Sequence, residues 1–321
     1  MKIISQKTIR ELGISPRQCV QWIYESFALK ANAQLPAKIS VHPEETDFFT
    51  SMPCLLPESK SNPSIRYFGI KEVHRIEGAI PSLGSDILLY NAKNGDLLAL
   101  LDGDWITTMR TGAVAAASAK ALRNEGGFRY GMLGLGNTAR ATLLCALDAE
   151  PEKHFDVKLL RYKDQAELFI ERFKDYKNVS FEIVDDIRTI VQSVDVLFSC
   201  ITSADGLIVE DESLFPAGIT IIPVHMRGFQ NCDTTFDRVF GDDTGHVRNF
   251  KFFPQYRDYN EIGEVFAGRD PGRKSPKQRI IDYNYGLGLH DALFSSKIYE
   301  MVAEKALPEI PIIKETDKFW V

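Results

Sequence analysis

The sequence has few cysteines, little net charge and no long apolar run. Its five cysteines are widely spaced and form no C-x-x-C pair, which favours buried thiols over a disulfide framework or a zinc site. The formal charge of −6 indicates neither a nucleic-acid partner nor a membrane surface. A transmembrane helix needs roughly 18 unbroken apolar residues, and the sequence has no such stretch. The start, MKIISQKTIRELGIS, does not resemble a signal peptide. These features predict a cytoplasmic protein.

What the sequence does contain is typical of a globular protein, with 44% apolar and 26% charged residues over a length that accommodates two domains. Ser15 predicts the N-cap of an amphipathic helix over residues 16–30. Asn94-Gly95 predicts a hairpin, and the alanine-rich residues 107–122 predict a helix. Strands are expected at 38–41, 67–73, 86–91 and 97–101. The first third of the chain therefore indicates an α+β domain.

Residues 128–140, FRYGMLGLGNTAR, carry the most informative local pattern. Gly134 suits a tight strand-to-helix turn, Gly136 has no Cβ to hold a pyrophosphate away from the backbone, and Ala139 lets the helix pack closely on its strand. The phosphates would lie at the positive end of that helix. The residues expected to supply further phosphate contacts are Asn137 and Thr138. The motif predicts a dinucleotide site, with a plain glycine-rich connector as the alternative.

Strands and helices alternate after this turn. Strands are expected at 157–160, 179–184, 194–200, 218–224 and 238–241, and helices at 165–173 and 187–191. Because such alternation builds parallel βαβ units with right-handed crossovers, it predicts a doubly wound, Rossmann-type α/β sheet. A last helix is expected from residue 286 to about residue 306 and should pack on the first domain.

The choice of nicotinamide cofactor depends on the residues that follow the strand at 157–160, the second strand of the expected Rossmann-type sheet. NAD-dependent proteins usually place Asp or Glu there to bind the ribose 2′-OH, whereas this chain has Arg161, followed closely by Lys163. Both could pair with a 2′-phosphate, which predicts a preference for NADP(H) with NAD(H) as the alternative. Solvated loop charges are the non-functional interpretation. Thr202 is expected to border the nicotinamide, and Tyr285 and Gly286 are expected to line the same cleft.

Separated segments of the chain match one known family. They are LPAK at 35–38, Met52-Pro53, Lys71, the run LLALLDGDWITTMRTGAVAAASAKAL, the glycine turn, Thr202, Gly272-Arg273 and YNYGLGLHDALFSSKIYE. Through them the chain resembles the ornithine cyclodeaminase/mu-crystallin family over nearly its full length. The resemblance implies a smaller α+β substrate-binding and dimerisation domain, residues 1–124 with 291–321. A Rossmann domain, residues 125–290, would be inserted in it. It also implies a homodimer.

The resemblance assigns substrate contacts as well. Arg110, in the MRTG motif, corresponds to the family arginine that holds the substrate carboxylate, a task that suits its planar fork of donors. A surface arginine at a helix start is the alternative. Lys71 corresponds to a lysine that binds the carboxylate and transfers protons, with a solvated strand lysine as the alternative. Lys38 stands where many relatives have a second arginine, which alters carboxylate binding because an ammonium cannot bind two oxygens in parallel. Ser82 stands where relatives often have threonine, with a turn residue as the alternative.

The segment IIPVHMRGFQNCD departs from the family pattern. Ornithine cyclodeaminases have an aspartate in the corresponding segment, which handles the distal amine, whereas this chain has His225. Histidine is a competent general acid or base near neutrality, but it is a poor anchor for a distal ammonium. A histidine bonded to backbone at a strand end is the alternative. Arg227 adds positive charge and favours a substrate with an acidic tail.

The residues and the resemblance together predict an NAD(P)-dependent oxidoreductase that acts on the Cα–N bond of an amino acid or on the corresponding imine. Its expected partners are that small molecule and the nucleotide, without metal, nucleic acid or membrane. One alternative is ornithine cyclodeaminase, which converts L-ornithine to L-proline and ammonia without net redox change. Another is an NADPH-loaded protein that binds a small ligand without turnover. Arg110 with Lys71 argues for chemistry, because a pure binder needs no pair of carboxylate-holding cations.

Overall fold

The computed structural model describes residues 1–59, 62–202, 204–225 and 227–312. The chain divides into two compact units. The first unit comprises Met1–Ile14, Leu29–Thr107 and the described residues from Asp291 onward, and the second comprises Ser15–Ala28 and Thr108–His290. The expected domain limits, 1–124 with 291–321 and 125–290, stay a prediction.

The described residues form strands and α-helices in the following order. The strands are β1 (Lys2–Ile4), β2 (Ile39–Val41), β3 (Phe48–Leu55), β4 (Tyr67–Arg75), β5 (Leu83–Asn91), β6 (Asp96–Asp102), β7 (Arg129–Leu133), β8 (Phe155–Leu160), β9 (Val179–Val184), β10 (Val196–Ser199), β11 (Thr220–Pro223), β12 (Arg238–Gly241), β13 (Asn260–Glu261) and β14 (Ile280–Tyr283). The helices are α1 (Gln6–Glu11), α2 (Pro16–Leu29), α3 (Asp104–Leu122), α4 (Asn137–Ala149), α5 (Gln165–Arg172), α6 (Ile187–Ser193), α7 (Cys232–Thr235), α8 (Thr244–Val247), α9 (Ile262–Phe266) and α10 (Gly288–Met301).

The first unit is built on a six-stranded sheet in the order β1-β6-β5-β4-β3-β2. β1 runs parallel to β6, and the other neighbours are antiparallel. The predicted hairpin at Asn94-Gly95 is confirmed, since it joins the antiparallel strands β5 and β6 with a φ of +74° at Gly95. α10 packs on β4 as expected. A Cβ on Gly69 would lie 3.0 Å from the Cβ of Ala292, so the glycine permits this close approach.

The second unit contains an eight-stranded sheet in the order β13-β12-β14-β11-β10-β7-β8-β9. All neighbouring strands in it are parallel. The run β9-β8-β7-β10-β11 follows the doubly wound pattern, in which the strand order reverses between β7 and β10. The predicted Rossmann-type sheet is therefore confirmed, and ligands of such sheets bind at the carboxyl ends of the strands, at that reversal.

The central strands of this sheet are buried along their whole length. Every residue of β10, β11, β12 and β14 is buried, as expected for strands covered on both faces. β14, which sequence patterns did not predict, lies between β11 and β12. The core of this unit therefore extends through a strand supplied late in the chain.

Two predicted helices complete the second unit. The backbone N–H of Gln18 donates to the Ser15 hydroxyl at 3.1 Å, so the predicted start of α2 is confirmed. α3 crosses α4 at Gly112, where a Cβ would overlap the backbone of Ala141 and Thr142. The glycine of the MRTG motif is thus required by close helix packing, which fixes α3 beside the glycine turn.

Candidate functional site

The turn after β7 has the geometry that the glycine pattern predicted. Gly134 has a φ of +73°, and a Cβ there would lie 2.7 Å from the carbonyl carbon of Cys200 and from the nitrogen of Ile201. Both neighbours directly follow β10, so this glycine brings the turn against the strand on the other side of the reversal. A side chain at this position would push the turn away from the carboxyl edge of the sheet.

The start of α4 is exposed and open. Gly136 is the N-cap, and among the described residues no side chain caps this helix end. A Cβ on Gly136 would meet no described atom within 4 Å, in contrast to one on Gly134. Asn137 is exposed and Thr138 half-buried, whereas Ala139 is fully buried. Uncapped N–H groups at the positive end of a thirteen-residue helix are an anion-binding arrangement.

Arg110 lies deep in the second unit and not at a helix start. It is the seventh residue of α3 and is 6% exposed, so the alternative of a surface arginine at the helix start was wrong. A Cβ on Gly286 would overlap the Arg110 guanidinium, which therefore passes directly over the backbone that follows β14. A buried guanidinium at the carboxyl edge of the sheet is suited to an anionic group such as a carboxylate.

The same glycine links Arg110 to a carboxylate that sequence patterns did not single out. Gly286 has a φ of +82°, and its N–H donates to Asp242 Oδ2 at 2.5 Å. Asp242 is fully buried and directly follows β12. The neighbouring Tyr285 stacks on His246, with ring centroids 5.2 Å apart and planes 8° apart. The hydrogen bond to Asp242 and the stacking of Tyr285 on His246 thus fix the backbone around Gly286. This backbone lies at the carboxyl edge of the sheet, where the other predicted cofactor residues lie.

His225 lies at the same edge, two residues after β11. Its Nδ1 accepts from the backbone N–H of Arg227 at 3.4 Å, which leaves Nε2–H to donate to the Ser199 hydroxyl at 3.2 Å. Burial, together with the nearby positive charge of Arg227, lowers the pKa of His225 to about 4. The ring is therefore neutral at pH 7. Arg227 itself is exposed.

The remaining predicted cofactor residues follow other strands of this sheet. Arg161 comes directly after β8, next to the glycine turn in strand order, and Lys163 follows with a φ of +52°. Thr202 is exposed in the segment after β10. The carboxyl edge of one parallel sheet thus carries all of the predicted cofactor residues, together with His225 and Arg227.

Lys71 belongs to the first unit and is not solvated. It lies on β4, and its Nζ is 2.8 Å from Asp291 Oδ2, with both side chains at most 1% exposed. Asp291 is in the first turn of α10, so the close packing of that helix at Gly69 also sets this ion pair. Burying two charges is costly unless each has a partner. The alternative of a solvated strand lysine was therefore wrong.

Two other predicted substrate residues also lie in the first unit. Lys38 is half-buried immediately before β2, and Ser82 is half-buried immediately before β5. The backbone carbonyl of Ser82 accepts from the N–H of Ile76 at 2.9 Å. This backbone bond fits the turn interpretation of Ser82 and leaves the role of its hydroxyl a prediction.

Comparison with known proteins now identifies the family. The model of the ornithine cyclodeaminase/mu-crystallin family matches residues 2–306. The chain belongs to this family. The resemblance seen in the MRTG motif and the glycine turn is confirmed, and the family accounts for both the nucleotide-type sheet and the buried arginine beside it.

Individual relatives agree with the family. The chain is 26% identical over 322 residues to the Delta(1)-pyrroline-2-carboxylate reductase of Colwellia psychrerythraea, covering 95% of this chain and 100% of that enzyme. An archaeal alanine dehydrogenase dimer with bound NAD superposes with a TM-score of 0.83 at 22% identity, covering 98% and 99% of the two chains. The Thermococcus litoralis Delta(1)-pyrroline-2-carboxylate reductase, solved with NADH and L-proline, gives a TM-score of 0.82 at 22% identity, covering 96% and 99%.

These relatives are reductases and dehydrogenases by name, so the prediction of an oxidoreductase of this family is confirmed at the level of the family. The two structural likenesses, at 22% identity, show the fold. Within the described ranges, no helix is long and apolar enough to cross a membrane. The same ranges hold no group of three or more metal-binding side chains.

Proposed function

We propose that the chain is a nicotinamide-dependent oxidoreductase acting on the Cα–N bond of an α-amino acid or on the corresponding imine. The observation that carries this proposal is the pairing of two features at one sheet edge. An open, uncapped helix start at Gly136 suits a pyrophosphate, and the buried guanidinium of Arg110 suits a carboxylate.

The residues around the glycine turn fit a dinucleotide. Gly136 and the backbone N–H groups of Asn137 and Thr138 would hold the pyrophosphate, and Gly134 keeps the turn close to the sheet. When bound, the nicotinamide would supply or accept the hydride at Cα. We further propose a preference for NADP(H), which the positive charges of Arg161 and Lys163 support.

Arg110 is assigned to the substrate carboxylate. Its guanidinium is already positioned across Gly286, so little conformational entropy has to be lost when the carboxylate binds. Lys38 and Ser82 are proposed as further substrate contacts. Arg227 favours a substrate with an acidic tail, since a basic tail such as that of ornithine would be repelled.

Interconversion of imine and amine also moves a proton on nitrogen. Lys71 is proposed to hold and donate this proton, because its buried ammonium is oriented by the Asp291 carboxylate. His225 is proposed as a second proton-transfer group, since its neutral ring can accept a proton when an amine is oxidised. Thr202 and Tyr285 are assigned to the cofactor.

The direct test is a screen of amino acids, and of 2-oxo acids with amines, using NADPH and NADH. We expect a net absorbance change at the nicotinamide band for at least one pair. Release of ammonia and proline from ornithine without net absorbance change would instead identify a cyclodeaminase. Nucleotide binding without turnover on any substrate would identify a binding protein.

A variant links this activity to the site. Arg110→Ala is expected to lower kcat/KM by a factor of about 1000, the value of a lost charge-assisted bidentate contact, while nucleotide binding is kept. Arg10→Ala, which removes an exposed arginine of α1, is the matched control and should change neither. Unchanged turnover in Arg110→Ala would contradict the assignment of this residue.

We also propose a homodimer that forms through the outer face of the first sheet. Val41 pairs with Phe49 across β2 and β3, and Ile39 lies two residues away on the same face. These side chains are 61%, 37% and 70% exposed respectively, and an apolar patch at a sheet edge is a typical interaction surface. Val41→Asp should yield monomers in light-scattering measurements, whereas Leu168→Asp, at an exposed apolar residue of α5, should not.

A further inference from the structure

Two carboxylates hold Arg161, the residue at the end of β8. Its Nε donates to Asp185 Oδ1 at 2.8 Å, and its Nη1 donates to the Glu167 carboxylate. Asp185 directly follows β9, and Glu167 is in the first turn of α5. The backbone N–H of Arg161 donates to the carbonyl of Val184 at 2.9 Å, which aligns the ends of β8 and β9 and brings Asp185 within reach.

The charges of four side chains at this strand end offset one another. Arg161 and Lys163 contribute two positive charges, and Asp185 and Glu167 contribute two negative charges. The Lys163 ammonium lies 5.3 Å from the centre of the Tyr162 ring. A phosphate monoester carries about −1.5 to −2 charges at pH 7, so its attraction to Arg161 and Lys163 is opposed by both carboxylates. The ribose hydroxyl of NAD(H) is neutral and is not affected in this way.

The ion pairs of Arg161 with Glu167 and Asp185 are also exposed enough for the side chains to exchange partners. Side-chain exposure is 42% for Arg161, 52% for Glu167 and 78% for Asp185. Ion pairs of this kind contribute little to stability. Their removal should therefore leave the fold intact while changing the local potential, which makes the carboxylates accessible to a direct test.

We propose that Asp185 and Glu167 are specificity-determining residues of the nucleotide site, which limit the preference for NADP(H) by neutralising Arg161. The inference rests on the proposed function, since it concerns the same dinucleotide. It predicts that the protein binds NADPH and NADH with affinities within about tenfold of each other, because surface charge effects of this size are worth about one order of magnitude.

The test measures dissociation constants for NADPH and NADH by fluorescence titration without substrate. In Asp185→Asn/Glu167→Gln, NADPH affinity should rise about tenfold while NADH affinity stays the same, and added salt should reduce the gain. Glu171→Gln is the matched control. It removes one negative charge from the same helix, where Glu171 pairs with Lys174 and not with Arg161, and it should leave the ratio unchanged.

Adding Arg161→Ala to the double variant should abolish the gain in NADPH affinity. An unchanged ratio of NADPH affinity to NADH affinity in the double variant overturns the inference. A loss of NADPH affinity also overturns it, because it would mean that the carboxylates orient Arg161 for the phosphate. In both cases nucleotide binding, and with it the proposed function, still stands. If the unmodified protein binds neither nucleotide, the proposed function itself is wrong.

Discussion

Asp291 Oδ2 lies 2.8 Å from Lys71 Nζ, and both side chains are buried. Removing one member leaves a buried charge, so Lys71→Met or Asp291→Asn should each lower the free energy of unfolding by about 3–5 kcal/mol. The double change Lys71→Met/Asp291→Asn should cost less than the sum of the two single changes, since no charge is left alone. Urea unfolding of the single and double variants measures these free energies.

The exposed pair Lys7–Glu11 on α1 provides the control. Lys7→Met should change the free energy of unfolding by less than about 0.5 kcal/mol. Additive losses in the Lys71 and Asp291 variants would contradict a coupled pair. Activity should disappear in all variants that lack Lys71, including the double variant.

The two glycines of the turn after β7 should respond differently to alanine. At Gly136 a Cβ meets no described atom and the backbone is extended, so Gly136→Ala should change the free energy of unfolding by less than about 1 kcal/mol. Its methyl group would occupy space required by the pyrophosphate, and nucleotide affinity should fall by at least about tenfold.

At Gly134 both the positive φ and the contact with Cys200 oppose a side chain. Gly134→Ala should therefore lose stability as well as nucleotide binding, with a cost of about 2 kcal/mol or more. Thermal unfolding with and without nucleotide separates the two effects. Unimpaired nucleotide binding in Gly136→Ala would contradict the proposed pyrophosphate position.

His225 should not produce a break near pH 6.5 in the rate profile. Because burial lowers its pKa to about 4, the ring is neutral across the physiological range. His225→Gln should lower kcat/KM by about 100-fold or more if the ring transfers a proton, with the dissociation constant for nucleotide unchanged. An unaltered kcat/KM would remove His225 from the proton pathway.

The lowered pKa of His225 also has a consequence for stability. Between pH 6.5 and 4 the unfolded chain binds a proton at His225 that the folded protein does not, so this residue makes stability fall as the pH is lowered. The contribution is about 3 kcal/mol across that window. His225→Gln should therefore lose less stability than the unmodified protein between pH 7 and pH 4.

Asp233 should affect the pH dependence of stability in the direction opposite to that of His225. It is 2% exposed and accepts from the Tyr283 hydroxyl at 2.5 Å, and burial raises its pKa to about 6. Between about pH 4 and 6 the folded protein keeps a proton that the unfolded chain releases, so this residue makes stability fall as the pH rises. The contribution is about 3 kcal/mol.

Asp233→Asn should remove this dependence, which unfolding curves at pH 4 and pH 7 would show as a difference from the unmodified protein. Asp175→Asn, at an exposed position, should leave the dependence as it is. An identical pH dependence in Asp233→Asn and the unmodified protein would show that the buried carboxyl does not keep its proton.

Local patterns predicted the parts of the molecule that local chemistry determines. The glycine turn, the N-cap at Ser15 and the hairpin at Asn94-Gly95 each follow from backbone preferences of the residues present. β3 was not predicted because Pro53 interrupts it. The structure accommodates this proline because β2 pairs with β3 only at Phe49–Ser51. At Pro53, β2 therefore requires no backbone hydrogen bond from β3.

Long-range pairings were beyond such patterns. Asp291 follows Lys71 by more than two hundred residues, and no signal on either side connects them. The same holds for Asp242, which accepts from the Gly286 N–H, and for Asp185 beside Arg161, since strand order brings each to its partner. The candidate residues were thus predictable, whereas the groups that hold and tune them became visible only in the fold.

The central position of β14 bears on how the chain is made. β11 and β12 do not pair with each other, because β14 lies between them, and it is supplied by residues 280–283. A ribosome-bound chain that has already produced β12 therefore carries two unpaired strand edges until synthesis has passed those residues. Because unpaired strand edges promote aggregation, truncation before Ile280 should yield an aggregating product.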